Sequence, residues 1–295
     1  MKVLGIVASC RKLGNTEILV KESLMAAEAG GAQVDIIRWN DYNILPCEGD
    51  AQCLFGTRIC KHKDKDDFDF LLNKLYEYDG IILGAPCYFL EVQAIVKQFI
   101  DRLFILFSQP SQIVGKPAVV IVPYATRGWT SHAFIQPTVL LMLLGMNIVD
   151  KALIHVQAVG EASADRLALD RAKVVGEELV QAMVSGDHSY KGDPGICPVC
   201  HERDVRIMSD NKTVECPICG IRGQIKIENG SITVDFPSAQ QDWHRFSQES
   251  IYRHFTYEIK PSKDYFTRSW PVFKESRTKY GQYLDIRRLD DKPAR

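Results

Sequence analysis

The sequence lacks an excess of charge of either sign: 36 Lys and Arg stand against 37 Asp and Glu, for a net charge of −1. Such a balance favours neither nucleic acid nor an acidic membrane surface as a partner. The N-terminal run MKVLGIVASC has no basic segment, long apolar core or cleavage site typical of a secretion signal. The most apolar later stretch, 139–148, is too short to span a bilayer. These absences predict a cytoplasmic protein without a membrane partner.

The nine cysteines are the most informative part of the composition. Their number is odd, and most of them fall into two groups, at 47–60 and at 197–219. In a chain without a secretion signal, grouped cysteines are more often metal ligands than disulfide partners. The sequence therefore predicts metal binding. The nine are Cys10, Cys47, Cys53, Cys60, Cys87, Cys197, Cys200, Cys216 and Cys219.

Strand and helix patterns alternate through residues 1–185. Because the strand runs are continuously apolar, we expect a parallel sheet that is covered on both faces. The predicted fold class is α/β, a flavodoxin-like doubly wound sheet of five parallel strands. Strands are predicted at 2–8, 33–39, 80–84, 117–123 and 147–156, and helices at 15–29, 68–76, 92–107, 132–144 and 162–184.

A polar loop at 9–16 connects the first strand to the first helix. A tight loop at a helix N-terminus points free N–H groups at one spot, and the helix dipole and Arg11 add positive potential there. This arrangement suits a phosphate monoester, whereas the loop matches neither a Walker loop nor a GxGxxG dinucleotide loop. An ordinary helix cap, formed by Asn15 or Thr16, is the alternative interpretation.

The residues of this loop resemble those of a known family. Ser9 and Arg11, followed by Gly-Asn-Thr at 14–16, are similar to the phosphate loop of the NADPH-dependent FMN reductase and iron–sulfur flavoprotein family. The resemblance covers about residues 1–185. It implies that the phosphate of FMN is held by Ser9, Arg11, Gly14, Asn15 and Thr16.

Two later loops resemble the flavin loops of that family. The segment GAPCYF at 84–89 and the helix KQFIDR at 97–102 are similar to its G-[ST]-P-x-Y loop and K-x-F-I-D-R helix, although Ala85 replaces a hydroxyl residue. The loop at 124–129 takes the place of the remaining flavin loop, with Gly-Trp instead of the usual Gly-Gly pair. Loops at the carboxyl ends of parallel strands are where such sheets bind ligands. The resemblance implies flavin contacts from Pro86, Cys87, Tyr88, Phe89, Thr126, Arg127 and Gly128.

The resemblance also implies an activity, that of an NAD(P)H-dependent reductase containing FMN. Hydride would come from NADPH or NADH, and the electrons would go on to a quinone, a flavin, a nitro compound or a protein acceptor. Because the flavin carries this chemistry, no acid–base pair or nucleophile is required, and we assign no catalytic side chain. Members of the family commonly form homodimers or homotetramers, so a homo-oligomer is expected.

The first cysteine group resembles a cluster motif. Cys47, Cys53 and Cys60 match three positions of the C-x2-C-x2-C-x4–7-C motif of iron–sulfur flavoproteins, and Asp50 takes the remaining position. Thiolates are soft ligands that suit such clusters, whereas a carboxylate is harder. Three alternatives stay open: a [4Fe–4S] cluster with Asp50 as a ligand, a cluster with one open iron position, or a loop of free thiols. If a cluster forms, a pure electron carrier that does not react with NAD(P)H is the alternative function.

The second group consists of two Cys-Pro-x-Cys pairs, Cys197 with Cys200 and Cys216 with Cys219, separated by fifteen residues. This spacing is typical of a closed tetrahedral zinc site, whose role is structural. In a module this small, metal binding provides much of the folding free energy. Rubredoxin-like iron is the alternative metal. Because four thiolates already fill the site, the adjacent His201 is predicted to be exposed.

A polar break at 185–189 separates the predicted flavodoxin-like domain at 1–185 from a predicted zinc ribbon at 190–235. The Asn229-Gly230 pair lies between β-like runs, which is a hairpin signal. Residues 236–295 form a tail rich in aromatic residues, which we expect to pack on its own body or on a neighbouring subunit. With 12 Lys and Arg against 8 Asp and Glu, the tail also leaves a nucleic-acid-binding regulatory protein as a weaker alternative.

Overall fold

Five parallel strands form the central sheet in the computed structural model, which describes residues 1–283 apart from the side chain of Glu228. The strand order is β2-β1-β3-β6-β7, and neighbouring strands are parallel throughout. This order confirms the predicted flavodoxin-like fold. The strands are β1 (Lys2–Val7), β2 (Gln33–Arg38), β3 (Gly80–Gly84), β4 (Cys87–Tyr88), β5 (Glu91–Val92), β6 (Pro117–Tyr124) and β7 (Asn147–His155), of which β4 and β5 form a separate antiparallel hairpin.

Helices cover both faces of this sheet. Leu19 and Leu179 belong to the core on one face, and Leu71, Phe99 and Leu140 to the core on the other. The α-helices are α1 (Asn15–Ala29), α2 (Gln52–Phe55), α3 (Phe68–Tyr76), α4 (Ala94–Arg102), α5 (Ile135–Leu143) and α6 (Arg166–Ser185), with short 3-10 turns at Trp39–Asp41, Leu103–Phe107 and Glu161–Ser163.

Helix α1 lies unusually close to the strands below it. A Cβ atom added at Gly84 would be 2.4 Å from Val20 Cγ2, and one added at Gly5 would be 2.7 Å from Leu24 Cδ1. Both distances are shorter than van der Waals contact, so the helix reaches this position because two strand residues lack side chains. The close packing fixes the N-terminus of α1 against the carboxyl edge of the sheet.

Three predicted helices differ from the observed ones at their ends. The helix predicted at 92–107 ends as an α-helix at Arg102 and continues as a 3-10 turn. The helix predicted at 132–144 begins at Ile135, because turn hydrogen bonds to Thr130 and His132 precede it. The helix predicted at 162–184 begins at Arg166, because the carboxylate of Asp165 caps it by accepting from the N–H of Ala168.

The predicted ribbon is a four-stranded antiparallel sheet of β8 (Arg206–Ile207), β9 (Thr213–Glu215), β10 (Arg222–Glu228) and β11 (Ser231–Asp235). Asn229 and Gly230 have φ values of 51° and 77°, as in the tight hairpin that their sequence predicts. Strand β9 was not predicted, because three residues are too short for an alternating pattern.

The ribbon packs against the edge of the central sheet, and Met1–Ile251 form one compact unit. The buried Lys151 of β7 donates to the carbonyl oxygens of Cys200 and His201, at 3.1 Å each, and its Nζ lies 3.7 Å from a carboxylate oxygen of Glu202. The predicted exposure of His201 is wrong, because its ring stacks on Tyr190 with centroids 3.9 Å apart. Burial, together with the charge of Lys151, lowers the pKa of His201 to about 4.

The second compact unit begins at Tyr252. It contains a π-helical turn at His254–Ile259 and the helix that follows it. No residue of that helix is buried. None of the helices in the described part of the chain combines the length and the apolarity needed to cross a membrane. The remaining helices are α7 (Ser238–Gln241), α8 (Gln248–Arg253) and α9 (Lys260–Gly281).

Candidate functional site

The loop between β1 and α1 has the geometry of an anion site. Gly14 is the N-cap residue of α1, and no side chain caps the helix, so the alternative of an ordinary cap by Asn15 or Thr16 is wrong. The first N–H groups of an α-helix have no acceptor within the helix. Ser9 and Thr16 are each only 3 % exposed and lie beside these groups. The loop therefore presents backbone donors and hydroxyl groups to a single point.

Arg38, which was not predicted as a site residue, fixes the shape of this loop. Its guanidinium donates to the backbone carbonyls of Ser9 at 2.8 Å and Arg11 at 2.9 Å. It also pairs with the carboxylate of Glu17 at 2.5 Å. Because the carbonyls are held by Arg38, the N–H groups of the same loop stay turned towards the ligand side.

Glu17 completes this support from inside the first turn of α1. Its carboxylate accepts from the backbone N–H of Leu13 at 2.6 Å and from Lys21 Nζ at 2.7 Å. Burial would raise the pKa of Glu17, but the hydrogen bonds from Lys21, Leu13 and Arg38 outweigh burial and lower the pKa to about 2. A Glu three residues after the N-cap is the position of a capping box, which is the sequence signal for this role.

Asn15 connects the phosphate loop to a fourth loop that was also not predicted. Its side-chain nitrogen donates to the carbonyl of Ala158 at 2.8 Å, and its side-chain oxygen accepts from the N–H of Ala162 at 3.1 Å. This loop follows β7, so it lies at the same carboxyl edge as the other three. Loops at the carboxyl ends of parallel strands are where such sheets bind ligands, and this loop meets that condition as the other three do.

These loops line one open cleft. The structure thus brings the predicted phosphate residues together with three of the predicted flavin contacts. Residues from the ends of β6 and β7 complete the lining. The lining residues are Ser9, Arg11, Gly14, Asn15, Thr16, Pro86, Cys87, Tyr88, Pro123, Tyr124, Ala125, Val156, Gln157 and Val159.

A second pocket adjoins this cleft, and we call it the aromatic pocket. It is lined by Cys87, Tyr88, Phe89, Tyr124, Ala125, Thr126 and Trp129. Four of these seven residues also line the cleft, so the two spaces share a wall. Four of the seven are aromatic. The predicted contacts Phe89 and Thr126 therefore lie beside the cleft, in the aromatic pocket.

The β4–β5 hairpin holds Phe89 in an unusual conformation. Phe89 and Leu90 have φ values of 48° and 76°, in a two-residue turn that normally contains Asn-Gly. The N–H of His132 donates to the carbonyl of Leu90 at 3.0 Å and holds the turn. The side chain of Phe89 is 86 % exposed, so burial does not account for the backbone strain. Strain of this kind is concentrated at functional sites.

Two of the predicted contacts lie outside both pockets. Arg127 Nη2 is 3.5 Å from His155 Nδ1, and neither Arg127 nor Gly128 is among the residues that line the two spaces. Cys87 Sγ donates to the carbonyl of Trp129 at 3.3 Å. Burial raises the pKa of the Cys87 thiol, so it remains protonated at neutral pH.

The four ribbon cysteines form a compact buried group. The Sγ atoms of Cys197, Cys200, Cys216 and Cys219 all lie within 4.8 Å of one another. The pair Cys197–Cys219 is 3.3 Å apart and the pair Cys200–Cys216 is 3.4 Å apart. A tetrahedral zinc ion with Zn–S bonds of about 2.3 Å separates its sulfur ligands by about 3.8 Å. The group therefore has the size and the donor set of a closed metal site.

Both cysteine pairs have the same turn. The N–H of His201 donates to the carbonyl of Cys197, and the N–H of Gly220 donates to that of Cys216, at 3.0 Å each. His201 and Gly220 both adopt the left-handed conformation, with φ values of 57° and 77°. Stacking on Tyr190 holds the histidine there, although glycine is the usual residue in this conformation.

The first cysteine group also gathers at one place. Cys47, Asp50, Cys53 and Cys60 all line one pocket. Burial raises the pKa of the Cys53 thiol, and the other two thiols and the Asp50 carboxylate raise it further. One oxygen of Asp50 also accepts from the N–H of Gln52, the first residue of α2, at 3.2 Å.

A buried arginine supplies positive charge to this pocket. The side chains of Arg102 and Asp66 are 0 % and 1 % exposed, and they form an ion pair. Arg102 also donates to the carbonyl of Leu45 at 2.9 Å and interacts with Cys60. Its Nε has no hydrogen-bond partner among the described residues. Arg102 therefore places a buried positive charge beside the three thiols.

Comparison with known proteins identifies the family. A sequence profile of the NADPH-dependent FMN reductase family matches residues 1–160, which is more than half of the chain. The chain belongs to this family. The iron–sulfur flavoprotein MJ1083 of Methanocaldococcus jannaschii is 32% identical over 199 residues, covering 62% of this chain and 97% of that relative. As a member of the NADPH-dependent FMN reductase family, the protein is an FMN-dependent oxidoreductase.

Two further matches of this chain extend beyond the flavodoxin-like part. Flavone synthase cfoJ of Aspergillus candidus is 26% identical over 288 residues, covering 86% of this chain and 87% of that relative. A solved structure described as flavone reductase superposes with a TM-score of 0.80 at 20% identity, covering 98% of this chain and all of that one. At that identity the structural match shows a shared fold.

Proposed function

We propose that this protein uses NAD(P)H to reduce a planar aromatic small molecule, which binds in the aromatic pocket beside FMN. The observation that supports the proposal most is the shared wall between the FMN cleft and a pocket with four aromatic side chains. When bound, FMN supplies the hydride exchange between the nicotinamide and the acceptor. The side chains of this protein position both molecules and exclude water.

The residues of the cleft suit FMN in two respects. Backbone N–H groups at the start of α1, with Ser9, Thr16 and Arg11, provide donors and positive charge for the phosphate. Pro86 and Tyr88 line the same cleft and offer an apolar and an aromatic surface for a flat ring system. We propose that Asn15 contributes by holding the loop after β7, because its side-chain amide is bonded to that loop.

The aromatic pocket suits a flat acceptor. Trp129 and Phe89 offer ring surfaces, and offset stacking of aromatic groups contributes about 0.5–1.5 kcal/mol beyond area burial. Quinones and nitroaromatics have the required shape. The two relatives that match most of the chain are named for reactions of flavones, which are planar aromatic ketones. A conjugated aromatic ketone is therefore the acceptor that we propose should be tested first.

The test is steady-state oxidation of NADPH and of NADH by the FMN-loaded protein with flavone, menadione, nitrobenzene and the non-aromatic ketone cyclohexenone. Turnover of aromatic acceptors at KM values well below that of cyclohexenone is the expected result. Equal KM values for cyclohexenone and the aromatic compounds would contradict stacking in the aromatic pocket. If none of the four compounds supports oxidation of NAD(P)H, the proposed function is rejected.

The variant Trp129→Ala tests the pocket directly. Loss of one stacking surface should raise KM for aromatic acceptors about tenfold, while the anaerobic rate of flavin reduction by NADPH is unchanged. Trp243→Ala is a matched control, because Trp243 is 57 % exposed against 54 % for Trp129 and lies outside both pockets. An equal effect of both substitutions would show that the aromatic pocket has no special role.

We further propose that the first cysteine group holds an iron–sulfur cluster. Three thiols and the Asp50 carboxylate line one pocket, and the buried, positively charged Arg102 lines it too. A cluster, when bound, would supply one-electron exchange with a protein acceptor. Iron and sulfide analysis of anaerobically purified protein tests this. Asp50→Cys should increase iron retention and Cys53→Ser should abolish it, whereas iron-free protein in both wild type and Asp50→Cys would reject the cluster.

The ribbon is proposed to be a structural zinc module at 190–235, distinct in role from the domain at 1–185. The buried four-thiol group has no position open to a substrate, which supports a structural ion. Metal analysis should give one zinc per chain, and Cys216→Ser should remove it while leaving FMN bound. One iron per chain with a rubredoxin-like visible spectrum would instead identify iron.

A further inference from the structure

A groove lies between the ribbon and the edge of the central sheet, and we call it the junction groove. On the sheet side it is lined by Met142, near the end of α5, and by Asn147, at the start of β7. On the ribbon side it is lined by parts of the segments 188–201 and 244–248. The FMN cleft lies beyond the other end of β7, where Val156 lines it. Nine residues of extended chain span about 30 Å, so one small molecule cannot occupy both sites.

The junction groove has no charged side chain in its lining. Nineteen residues line it, all within the described part of the chain, and none of them is Asp, Glu, Lys or Arg. Because charged residues make up 25 % of the sequence, about five would be expected in a set of this size. The pocket of the first cysteine group is lined, by contrast, by Glu48, Asp50, Lys61, Asp101 and Arg102. An ionised ligand would lose water in the junction groove without gaining an opposite charge, which favours an uncharged ligand.

Two imidazoles give the junction groove hydrogen-bond donors. Asn147 Nδ2 donates to the carbonyl of Gly115 at 3.0 Å and lies 3.1 Å from His188 Nδ1. An amide nitrogen only donates, so His188 Nδ1 accepts and the proton of the uncharged ring is on Nε2. His244 has the same tautomer, because its Nδ1 accepts from the N–H of Phe246 at 3.3 Å. Neither Nε2–H has a partner among the described residues, so both are available to a carbonyl oxygen of a ligand.

Aromatic and flexible apolar surfaces also line the junction groove. His201 stacks on Tyr190 with an angle of 6° between the ring planes, which gives the ribbon side a flat surface. The φ value of His201 is 57°, whereas the second Cys-Pro-x-Cys pair has Gly220 at the matching position, so an aromatic ring is kept here despite backbone strain. Met142 and Met146 line the sheet side, and methionine adapts its shape and packs well against aromatic rings. These surfaces favour an aromatic ligand.

We propose that the junction groove binds an uncharged aromatic ketone, at a site separate from the FMN cleft. The ketone oxygen accepts from the Nε2–H groups of His188 and His244, and the rings contact the methionines and the stacked pair. Such a ligand contacts both the ribbon and the sheet, so its binding stabilises the junction between them. The inference does not rest on the proposed function, because no residue that lines the junction groove lines the FMN cleft or the aromatic pocket.

Benzophenone tests this site, because it is an uncharged aromatic ketone and also a photolabel. Irradiation of the full-length protein, loaded with FMN and zinc, should attach it saturably to Met142 or Met146, as located by peptide mass spectrometry. Met25, which is 55 % exposed on α1, is the internal control and should show no saturable label. The probe 4-benzoylbenzoate adds one carboxylate and should label the two groove methionines at least about tenfold less. No saturable label on them, or equal labelling by both probes, would overturn the proposal.

Histidine NMR gives a second measurement that needs no irradiation. The sequence contains seven histidines, and benzophenone should shift the ring signals of His188, His201 and His244 but not that of His62. The double variant His188→Phe, His244→Phe keeps two rings and removes both donors. It should weaken binding at least about fivefold, as measured from the His201 signal, with an unchanged His62 signal showing that the fold is intact. His132→Phe, at an exposed position outside the groove, is the control and should bind normally. Unshifted groove signals, or equal affinity of the double variant and the wild type, would overturn the proposal.

These outcomes separate this inference from the proposed function. Neither experiment includes NAD(P)H or measures turnover. A protein that reduces no aromatic acceptor but is saturably labelled at Met142 or Met146 rejects the proposed reaction and retains the junction groove. Conversely, a protein that reduces flavone while both methionines stay unlabelled rejects the groove site and retains the proposed reaction.

Discussion

Replacing Glu17 by Gln tests whether the charge network behind the phosphate loop holds that loop in place. The substitution keeps the size of the side chain and one carbonyl acceptor, but it removes the charge that pairs with Arg38 and Lys21. The N–H of Leu13 then faces a weaker acceptor. We expect a less stable protein whose loop binds FMN more weakly.

The expected magnitude follows from the pKa of Glu17, which falls from 4.5 to about 2 on folding. A pKa that is lower in the folded state means that the charged form stabilises the fold. The contribution is fully present above about pH 4.5 and is lost as the pH falls through about 2. This difference between the unfolded and folded pKa values corresponds to a contribution of at most about 3 kcal/mol to the free energy of unfolding at pH 7. The side chain of Glu17 is 10 % exposed, so solvent screens the network only partly.

Urea unfolding of flavin-free wild type and Glu17→Gln at pH 7 and pH 3 measures this effect. We expect the variant to lose about 2–3 kcal/mol at pH 7 but only about 1 kcal/mol at pH 3, where most of the wild-type contribution is already lost. Glu28→Gln, at an exposed position of the same helix, should change the unfolding free energy by less than about 0.5 kcal/mol. An equal loss at both pH values, or no loss at pH 7, would refute the role of the network.

Three further changes have definite expected outcomes. Lys151→Met should lower the free energy of unfolding of zinc-loaded protein by about 3–5 kcal/mol in guanidinium titrations, because it leaves the Glu202 carboxylate without its buried partner. Leu90→Gly should raise the urea midpoint by an amount equivalent to about 1 kcal/mol, because it relieves a φ of 76°. Removing the proposed ribbon zinc with a chelator should lower the melting temperature measured by calorimetry, because the four buried thiolates then lose the ion that they bind in common.

Each of these expectations has an outcome that contradicts it. The double variant Lys151→Met, Glu202→Gln should recover part of the lost stability, and no recovery would show that the ion pair is not the cause. A less stable Leu90→Gly would show that the leucine side chain matters more than the backbone strain. An unchanged melting temperature after complete zinc removal would show that the ribbon folds without metal.

The fold was predictable because its signals are local. Each strand of the central sheet is a short apolar run, and the breaks between runs contain Gly, Pro or polar residues. The carboxyl-edge rule then placed the loops at 9–16 and 84–89 on one side of the sheet, and the structure confirms that they line one cleft. The Asn229-Gly230 turn is equally local, because two residues determine the conformation of the backbone.

Features that depend on distant partners were not predictable in the same way. In the sequence, Arg38 is an ordinary charged residue at the end of a strand. Its contacts with the loop before α1 are visible only in the structure. Lys151 interrupts an apolar strand, and its partners are about fifty residues further along the chain. The exposure predicted for His201 was wrong because nothing in the sequence shows that Tyr190 stacks on it.

The measurement that tests the central claim most directly compares the affinities of the flavin-free protein for FMN and riboflavin, which differ only in the phosphate. Two charge-assisted hydrogen bonds to the phosphate contribute about 3–6 kcal/mol, so FMN should bind at least about 100-fold more tightly. The double variant Arg11→Ala, Thr16→Val should reduce that ratio by at least about tenfold while leaving the affinity for riboflavin unchanged. Equal affinities of the wild type for the two flavins would show that the loop before α1 does not hold the phosphate.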